Sequence, residues 1–223
     1  MNCIYCQNYE ISQQGRGKEI TIEELANIFL IQQEKGVENV NLVTPTSYVP
    51  QIIEAIKIAR KKGFKLPIVY NTNGYENVET LKLLEGYIDV YLPDFKYYSS
   101  EISFKFSKAK DYFDVASKAI KKMSCLKNNV FVNGQMVEGV LIRHLVLPGF
   151  KDDSMKILDF IHDKIDNPYI SLMSQFTPTK GDIKRKLYPL EYKIVLSYVD
   201  KLGLKNGYIQ EFVSASDDFI PEF

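Results

Sequence analysis

The chain has 223 residues, 28 Lys plus Arg against 28 Asp plus Glu, and a formal net charge of zero. A chain of this length can bury one core, so we expect a single domain over residues 1–223. Zero net charge gives no global field that would attract nucleic acid or an anionic membrane, so neither is an expected partner.

Targeting signals and the number of cysteines indicate the cellular compartment in which a protein is found. The sequence has no apolar run of membrane-spanning length, no signal peptide at its start and only three cysteines. A secreted disulfide framework would need more cysteines in an even number. We therefore expect a cytoplasmic protein.

The first half of the chain predicts three helix–strand units. Thr21 and Glu24 form a capping box before an apolar helical face, and Gly36 can end that helix. Further apolar patterns predict a strand at 40–43, a helix at 52–59, a strand at 67–70, a short helix at 78–84 and a strand at 88–92. This alternation predicts parallel βα units rather than a β-sandwich.

The second half continues the pattern after one interruption. Asn133-Gly134 between short apolar runs favours a two-residue turn, so we expect a small hairpin insertion near 130–137. The other predicted elements are a helix at 115–123, a strand at 140–147, a helix at 158–165, a strand at 170–173 and a helix at 189–202. Residues 208–213 fit either one more strand or an irregular tail.

Two cysteines near the start carry the first chemical signal. Cys3 and Cys6 stand three residues apart, with Tyr5 between them. Thiolates at this spacing can turn both sulfurs toward one soft metal centre. The pair is shared by zinc, iron-sulfur and redox sites, so by itself it does not choose among them.

Polar residues follow four of the predicted strands at their carboxyl ends, where parallel α/β proteins place functional groups. Two more, Arg143 and His144, lie near the middle of the strand predicted at 140–147. Each also has a structural explanation: turn chemistry, a surface ion pair, or a hydrogen-bonded interior histidine. Their convergence on one rim favours a binding site. The residues are Thr44, Thr46, Asn71, Thr72, Asn73, Asp94, Lys96, Arg143, His144 and Gln175.

Five separated motifs stand in order along the chain. They are Cys-Ile-Tyr-Cys-Gln-Asn-Tyr-Glu-Ile-Ser-Gln from Cys3, Asn-Leu-Val-Thr-Pro-Thr from Asn41, Tyr-Asn-Thr-Asn-Gly-Tyr from Tyr70, Tyr-Leu-Pro-Asp-Phe-Lys-Tyr from Tyr91 and Arg-His-Leu-Val-Leu-Pro-Gly from Arg143. Together they resemble the motifs of radical S-adenosylmethionine (radical SAM) proteins related to the pyruvate formate-lyase activating enzyme. The chain looks most like a branch of homologues of that enzyme rather than the activating enzyme itself.

The resemblance implies a partial (β/α)6 TIM-like barrel that holds a 4Fe-4S cluster on a Cys-x-x-x-Cys-x-x-Cys loop. One electron from the cluster would cleave S-adenosyl-L-methionine to methionine and a 5'-deoxyadenosyl radical, which takes hydrogen from a substrate. The implied partners are an electron donor such as a flavodoxin or ferredoxin, and a glycyl-radical protein as substrate.

The resemblance also implies residue roles. Cys3 and Cys6 match the second and third cluster cysteines, and Tyr5 matches the aromatic beside the adenine. Lys96, a compact cation, would neutralise the carboxylate of the cofactor. The segment 44–47 places hydroxyls where many relatives have a Gly-Gly-Glu segment that meets the methionine amino group. The other implied cofactor-binding residues are Thr44, Thr46, Asn71, Thr72, Asn73, Asp94, Arg143, His144 and Gln175.

The first cysteine of the family loop would fall two places before Met1, and the first barrel strand would precede it. We therefore expect a start codon assigned too late or a natural truncation, with residues 40–43 as an unpaired edge strand.

Two alternatives to the radical enzyme stay open. One is a degenerate barrel that binds a nucleoside or protein partner without redox chemistry, and the other is a zinc-tethered structural protein.

Overall fold

The computed structural model describes residues 1–178 and 183–211, and helices and strands alternate through both ranges. The α-helices α1 to α8 span Tyr9–Ser12, Ile22–Glu34, Val49–Lys61, Val78–Leu83, Ser100–Ser107, Tyr112–Leu126, Lys151–Lys164 and Pro189–Leu202. A short 3-10 helix spans Thr46–Tyr48. The strands β1 to β7 span Val40–Val43, Ile68–Thr72, Val90–Pro93, Val130–Val132, Gln135–Leu145, Tyr169–Met173 and Gly207–Ile209.

The strands form one mostly parallel sheet. Their order is β1-β2-β3-β5-β6-β7, and β4 pairs with β5 in the antiparallel direction. Within the described ranges β1 and β7 are the terminal strands of this order, so the sheet is not closed. The predicted α/β class with parallel strands is confirmed. No helix in the described ranges combines the length and apolar composition that crossing a bilayer requires.

Packing divides the chain into two compact units. The first contains Met1–Gly17, Asp94–Ser117 and the described residues from Ile142 onward. The second contains Lys18–Pro93 and Lys118–Leu141. The strand β5 passes from the second unit to the first between Leu141 and Ile142, so the two units are described in turn.

The second unit contains three parallel strands. β2 lies between β1 and β3, with Val43 opposite Asn71 and Thr72 opposite Pro93. All five residues of β2 are buried, as expected of an inner strand of a parallel sheet. The carboxyl ends of β1 and β2 therefore lie side by side, and the loops that follow them share one edge of this unit.

Local sequence signals set the helix ends. In the predicted capping box, the Thr21 amide donates to Glu24 Oε2 at 2.7 Å and the Glu24 amide donates to Thr21 Oγ1 at 3.1 Å. Gly203 ends α8 with φ of 70°, a left-handed conformation that glycine adopts without steric cost. Both predicted boundaries are confirmed.

The predicted hairpin is present in the second unit. Asn133 and Gly134 both have positive φ, 51° and 81°, as a type I′ turn requires. The second hairpin strand continues without a break into the strand predicted at 140–147, which is observed as β5, Gln135–Leu145. The predicted start of that strand was therefore wrong, because one long strand serves both the hairpin and the parallel sheet.

In the first unit, β6 and β7 pair in parallel with Ile170 opposite Gly207. A Cβ at Gly207 would lie 1.9 Å from the Ile170 carbonyl oxygen, so only glycine fits this approach. Part of the strand considered at 208–213 is thus observed, and residues 212 and 213 lie outside the described ranges. The helix α5 was not predicted, because its serines and phenylalanines lack a clear apolar stripe.

Candidate functional site

The loop at the start of the first unit holds two thiols. A turn in which the Cys6 amide donates to the Cys3 carbonyl at 3.2 Å brings the two residues together, and both side chains are half-buried. The loop is fixed to the end of α5 because the Asn2 amide donates to the Ser107 carbonyl at 3.0 Å and the Ile4 amide donates to the Phe106 carbonyl at 2.9 Å. The backbone thus holds the predicted thiol pair in place.

A chain of hydroxyl groups ends at the first of these sulfurs. Ser107 Oγ donates to Cys3 Sγ at 3.0 Å. The single hydroxyl hydrogen of Ser107 is used in that contact, so the Tyr97 hydroxyl, 2.6 Å away, must donate to Ser107. By the same argument Tyr5 donates to Tyr97. Burial raises the pKa of Tyr97, which therefore keeps its hydrogen at neutral pH.

The thiol pair supplies part of the ligand set of the cluster that the motif implies. Cysteine thiolates are the usual ligands of iron-sulfur clusters, and Cys3 and Cys6 supply two of them. The third cysteine of the sequence, Cys125, is exposed on α6 in the second unit. Within residues 1–178 and 183–211 no three His, Cys, Asp or Glu side chains gather into a metal site. The described residues therefore fit two thiolate positions and do not supply a third.

Three predicted residues of the first unit form a charged cluster. Asp94 follows β3 and bridges in parallel to Arg143 on β5. Asp94 Oδ2 lies 2.6 Å from Lys96 Nζ, and Asp94 Oδ1 lies 2.7 Å from Arg143 Nη2. Burial opposes ionisation of Asp94, but the two cations prevail and lower its pKa. Asp94 thus contacts both cations at once.

His144 lies in the interior of the first unit. Its Nδ1 is 2.6 Å from the Phe95 carbonyl oxygen, and since a carbonyl oxygen only accepts, Nδ1 carries the hydrogen. Burial lowers the pKa of His144, so the ring is neutral at pH 7. Its Nε2 has no partner among the described residues. This geometry fits the alternative of a hydrogen-bonded interior histidine.

Gln175 follows β6 in the first unit. Gln210 Nε2 donates to Gln175 Oε1 at 3.1 Å, and Gln210 Oε1 accepts from the Gln175 amide at 3.2 Å. The two side chains therefore join the residues that follow β6 and β7. The contact explains the position of Gln175 without any ligand.

The remaining predicted residues belong to the second unit, after β1 and β2. Thr44 has φ of 52°, and its amide donates to the Asn71 carbonyl at 2.8 Å. The Thr72 hydroxyl accepts from the Gly74 amide at 3.2 Å, and Asn73 Oδ1 accepts from the Tyr75 amide at 2.9 Å. Both contacts are the turn chemistry expected of an Asn-Thr-Asn-Gly segment.

The sequence reasoning missed the acidic residue at the centre of this edge. Glu76, 1% exposed, accepts at Oε1 from Thr46 Oγ1 at 2.6 Å, from Tyr70 Oη at 3.4 Å and from Thr72 Oγ1. Burial raises the pKa of Glu76, while these hydroxyls partly offset that effect. Glu76 stands in a polar loop directly before the helix cap Asn77, where no periodic pattern marks a residue as buried.

The comparisons with known proteins agree with these motifs. The profile of the Radical SAM superfamily matches residues 1–161. The protein MJ0674 of Methanocaldococcus jannaschii is 34% identical over 217 residues, which cover 91% of this chain and 60% of that protein. The chain thus spans less than two thirds of the length of this relative.

Solved structures resemble the fold at low sequence identity. Streptococcus suis SuiB bound to the precursor peptide SuiA has a TM-score of 0.66 and 16% identity over 96% of this chain and 47% of SuiB. SuiB bound to S-adenosylmethionine has a TM-score of 0.62 and 16% identity over 100% of this chain and 48% of SuiB.

A third structure is a domain of a pyruvate-formate lyase-activating enzyme from Bacteroides vulgatus, with a TM-score of 0.58 and 14% identity over 78% of this chain and all of that domain. These likenesses support the fold, and the profile covers well over half of the sequence. The chain therefore belongs to the radical SAM superfamily.

Proposed function

We propose that the chain is the core of a radical SAM enzyme that cleaves S-adenosylmethionine reductively and takes a hydrogen atom from a substrate. The observation that carries this proposal is the Cys3–Cys6 thiol pair, fixed to α5 by backbone hydrogen bonds and placed in a chain that matches the family profile. The family membership supports the enzyme class, and the geometry supports the residue roles.

The bound cluster and cofactor would supply the chemistry: one external electron breaks the sulfonium C5'–S bond, giving methionine and a 5'-deoxyadenosyl radical that becomes 5'-deoxyadenosine by removing hydrogen from the substrate. In this proposal Cys3 and Cys6 would hold iron, and Tyr5 would lie beside the adenine. None of these three side chains would move a proton in the reaction.

We assign Lys96 and Arg143 to the carboxylate of the cofactor. Asp94 contacts both cations, Lys96 Nζ at 2.6 Å and Arg143 Nη2 at 2.7 Å, and so holds two groups that can pair with an anion in one place. Asp94 fixes the positions of both cations and would not contact the cofactor itself.

For the substrate we propose a peptide or a glycyl residue of a partner protein. SuiB has been solved with a precursor peptide, and the Bacteroides vulgatus structure is a domain of an enzyme that activates pyruvate-formate lyase. A low-potential donor such as a flavodoxin or ferredoxin would supply the electron.

The test is anaerobic reconstitution of the chain with iron and sulfide. Excess dithiothreitol is included as a candidate third ligand, because the described residues bring two thiols together. We expect bound iron with broad visible absorption, and 5'-deoxyadenosine after addition of dithionite and S-adenosylmethionine. Cys3→Ala and Cys6→Ala should abolish both signals. Cys125→Ala, a change at an exposed thiol, is the matched control and should retain them.

One alternative has a specific observation in its favour. Because the described residues provide two thiols and no third ligand, the chain can instead be a nucleoside-binding or partner-binding domain without redox chemistry. S-adenosylmethionine would then bind equally well to the wild-type protein and to Cys3→Ala. In that case iron would stay absent and no 5'-deoxyadenosine would form.

A further inference from the structure

The two thiols near the start of the chain have different hydrogen-bond partners. Cys3 Sγ accepts from Ser107 Oγ at 3.0 Å, and Ser107 is buried. Cys6 Sγ lies 3.3 Å from Ser12 Oγ, on an exposed serine of α1 whose hydroxyl can turn to water instead. All four residues belong to the first unit. The sulfur of Cys3 therefore has a fixed donor, whereas the contact of Cys6 competes with solvent.

The donor of Cys3 is held in place from two sides. The Tyr97 hydroxyl, 2.6 Å away, donates to Ser107 Oγ, so Ser107 keeps its own hydrogen for the sulfur. Tyr97 is also buried, and it accepts from Tyr5. The loop is joined to the same helix as the serine, because the Asn2 amide donates to the Ser107 carbonyl at 3.0 Å. In a buried series of this kind each hydroxyl polarises the next one and strengthens its hydrogen bond.

A fixed donor changes the electronic properties of a sulfur that binds iron. The hydrogen bond withdraws negative charge from the thiolate, so the sulfur passes less charge to the metal. The metal then accepts an electron more easily, and hydrogen bonds to the sulfurs are among the features that set the reduction potential of iron-sulfur clusters. A donor on one ligand sulfur should therefore raise that potential.

We propose that Ser107, held by Tyr97, is a positioning residue that raises the reduction potential of the iron-sulfur cluster through the sulfur of Cys3. This inference rests on the proposed function, since it takes the cluster as the group that Cys3 binds. Ser107 acts through the sulfur and need not contact iron or S-adenosylmethionine. As a result, a weaker external reductant can deliver the electron that the proposed reaction requires.

The test is a redox titration of protein that has been reconstituted anaerobically with iron, sulfide and excess dithiothreitol. Dithionite and redox mediators set the potential, and visible absorption reports the fraction of reduced cluster. At the potential where half of the wild-type cluster is reduced, the ratio of reduced to oxidised cluster in Ser107→Ala should be about tenfold lower, as expected when a charged group loses one hydrogen bond. For one electron this ratio corresponds to a midpoint potential about 59 mV more negative.

Tyr97→Phe provides a second, graded variant. It keeps the serine but removes the hydroxyl that polarises it. Because such polarisation accounts for up to about 30% of a hydrogen bond, the ratio of reduced to oxidised cluster should fall about twofold. If Ser107→Ala does not fold or does not bind iron, this variant decides, and a wild-type ratio in Tyr97→Phe overturns the inference.

Ser103→Ala is the matched control. It removes a buried hydroxyl from the same helix, α5, where the serine donates to the Ser100 carbonyl at 3.1 Å instead of to a sulfur. The ratio should stay at its wild-type value in this variant. An equal fall in Ser103→Ala and Ser107→Ala, or no fall in Ser107→Ala that binds iron, overturns the inference. Wild-type protein that takes up no iron would overturn the proposed function, and the inference with it.

Discussion

Replacing Asp94 with Asn should lower the free energy of unfolding, and the size of the loss can be estimated from the contacts and the burial of this carboxylate. The Asp94 carboxylate is 16% exposed and contacts Lys96 Nζ at 2.6 Å and Arg143 Nη2 at 2.7 Å. Asn keeps the shape of the side chain and removes its charge. The two cations then lose the anion that they share.

The expected loss lies between two limits. Removing one partner of a fully buried ion pair costs about 3–5 kcal/mol, whereas an exposed pair contributes about 0–1 kcal/mol. The three side chains are 16–24% exposed, nearer to the buried limit. We therefore expect Asp94→Asn to lower the free energy of unfolding by about 2–3 kcal/mol at pH 7.

The assay is urea unfolding of the wild-type protein and the variant from pH 7 downward. Since the folded state lowers the pKa of Asp94, the carboxylate contributes stability above its unfolded pKa of about 4, and that contribution is lost as pH falls through the folded pKa. The gap between the two proteins should be constant near neutrality and close in acid. Asp163→Asn, at a side chain that is 61% exposed, is the control. Equal losses for both variants, or a gap that persists in acid, would refute the reasoning.

Three further substitutions test other contacts. Ser107→Ala removes the buried hydroxyl that donates to Cys3, and urea unfolding should show a loss of about 1–2 kcal/mol; no loss would mean that the contact has no net value. Lys96→Met should weaken binding of S-adenosylhomocysteine about tenfold in calorimetry. The affinity for methylthioadenosine, which has no carboxylate, should stay within about twofold of wild type. Equal effects on both ligands would contradict the assignment of Lys96 to the carboxylate. The hydrogen bond from Arg185 lowers the pKa of Glu191 to about 2. Glu191→Gln should therefore lower the free energy of unfolding above about pH 5, and the difference from wild type in urea unfolding should disappear toward pH 2. A difference that does not change with pH would exclude this cause.

The sequence predicted the elements that have strong local signals. The capping box at Thr21, the Asn133-Gly134 turn and the helix that ends before Gly203 are all observed where they were expected. Each depends on a backbone conformation or on a hydrogen bond between residues close in sequence. Local chemistry is enough to fix such features.

Features that depend on distant residues escaped prediction. Ser107 contacts Cys3 across 104 positions, and the short helix that carries it has no clear apolar stripe. Buried Glu76 accepts a hydrogen bond from Thr46, 30 positions earlier, which lies beside it once β1 and β2 pair. A glutamate in a polar loop is normally solvated, so its burial could be recognised only in three dimensions. The roles of the predicted cofactor-binding residues stay predictions until they are tested.

The hydroxyl series from Tyr5 through Tyr97 and Ser107 to Cys3 fixes more than one sulfur. Each hydroxyl has a single hydrogen and donates it to the next group in the series. The Tyr5 hydroxyl therefore uses its only hydrogen in the bond to Tyr97. Only lone pairs remain on the Tyr5 oxygen. Any group that forms a hydrogen bond with the Tyr5 oxygen must therefore be the donor, so a carbonyl oxygen cannot pair with it.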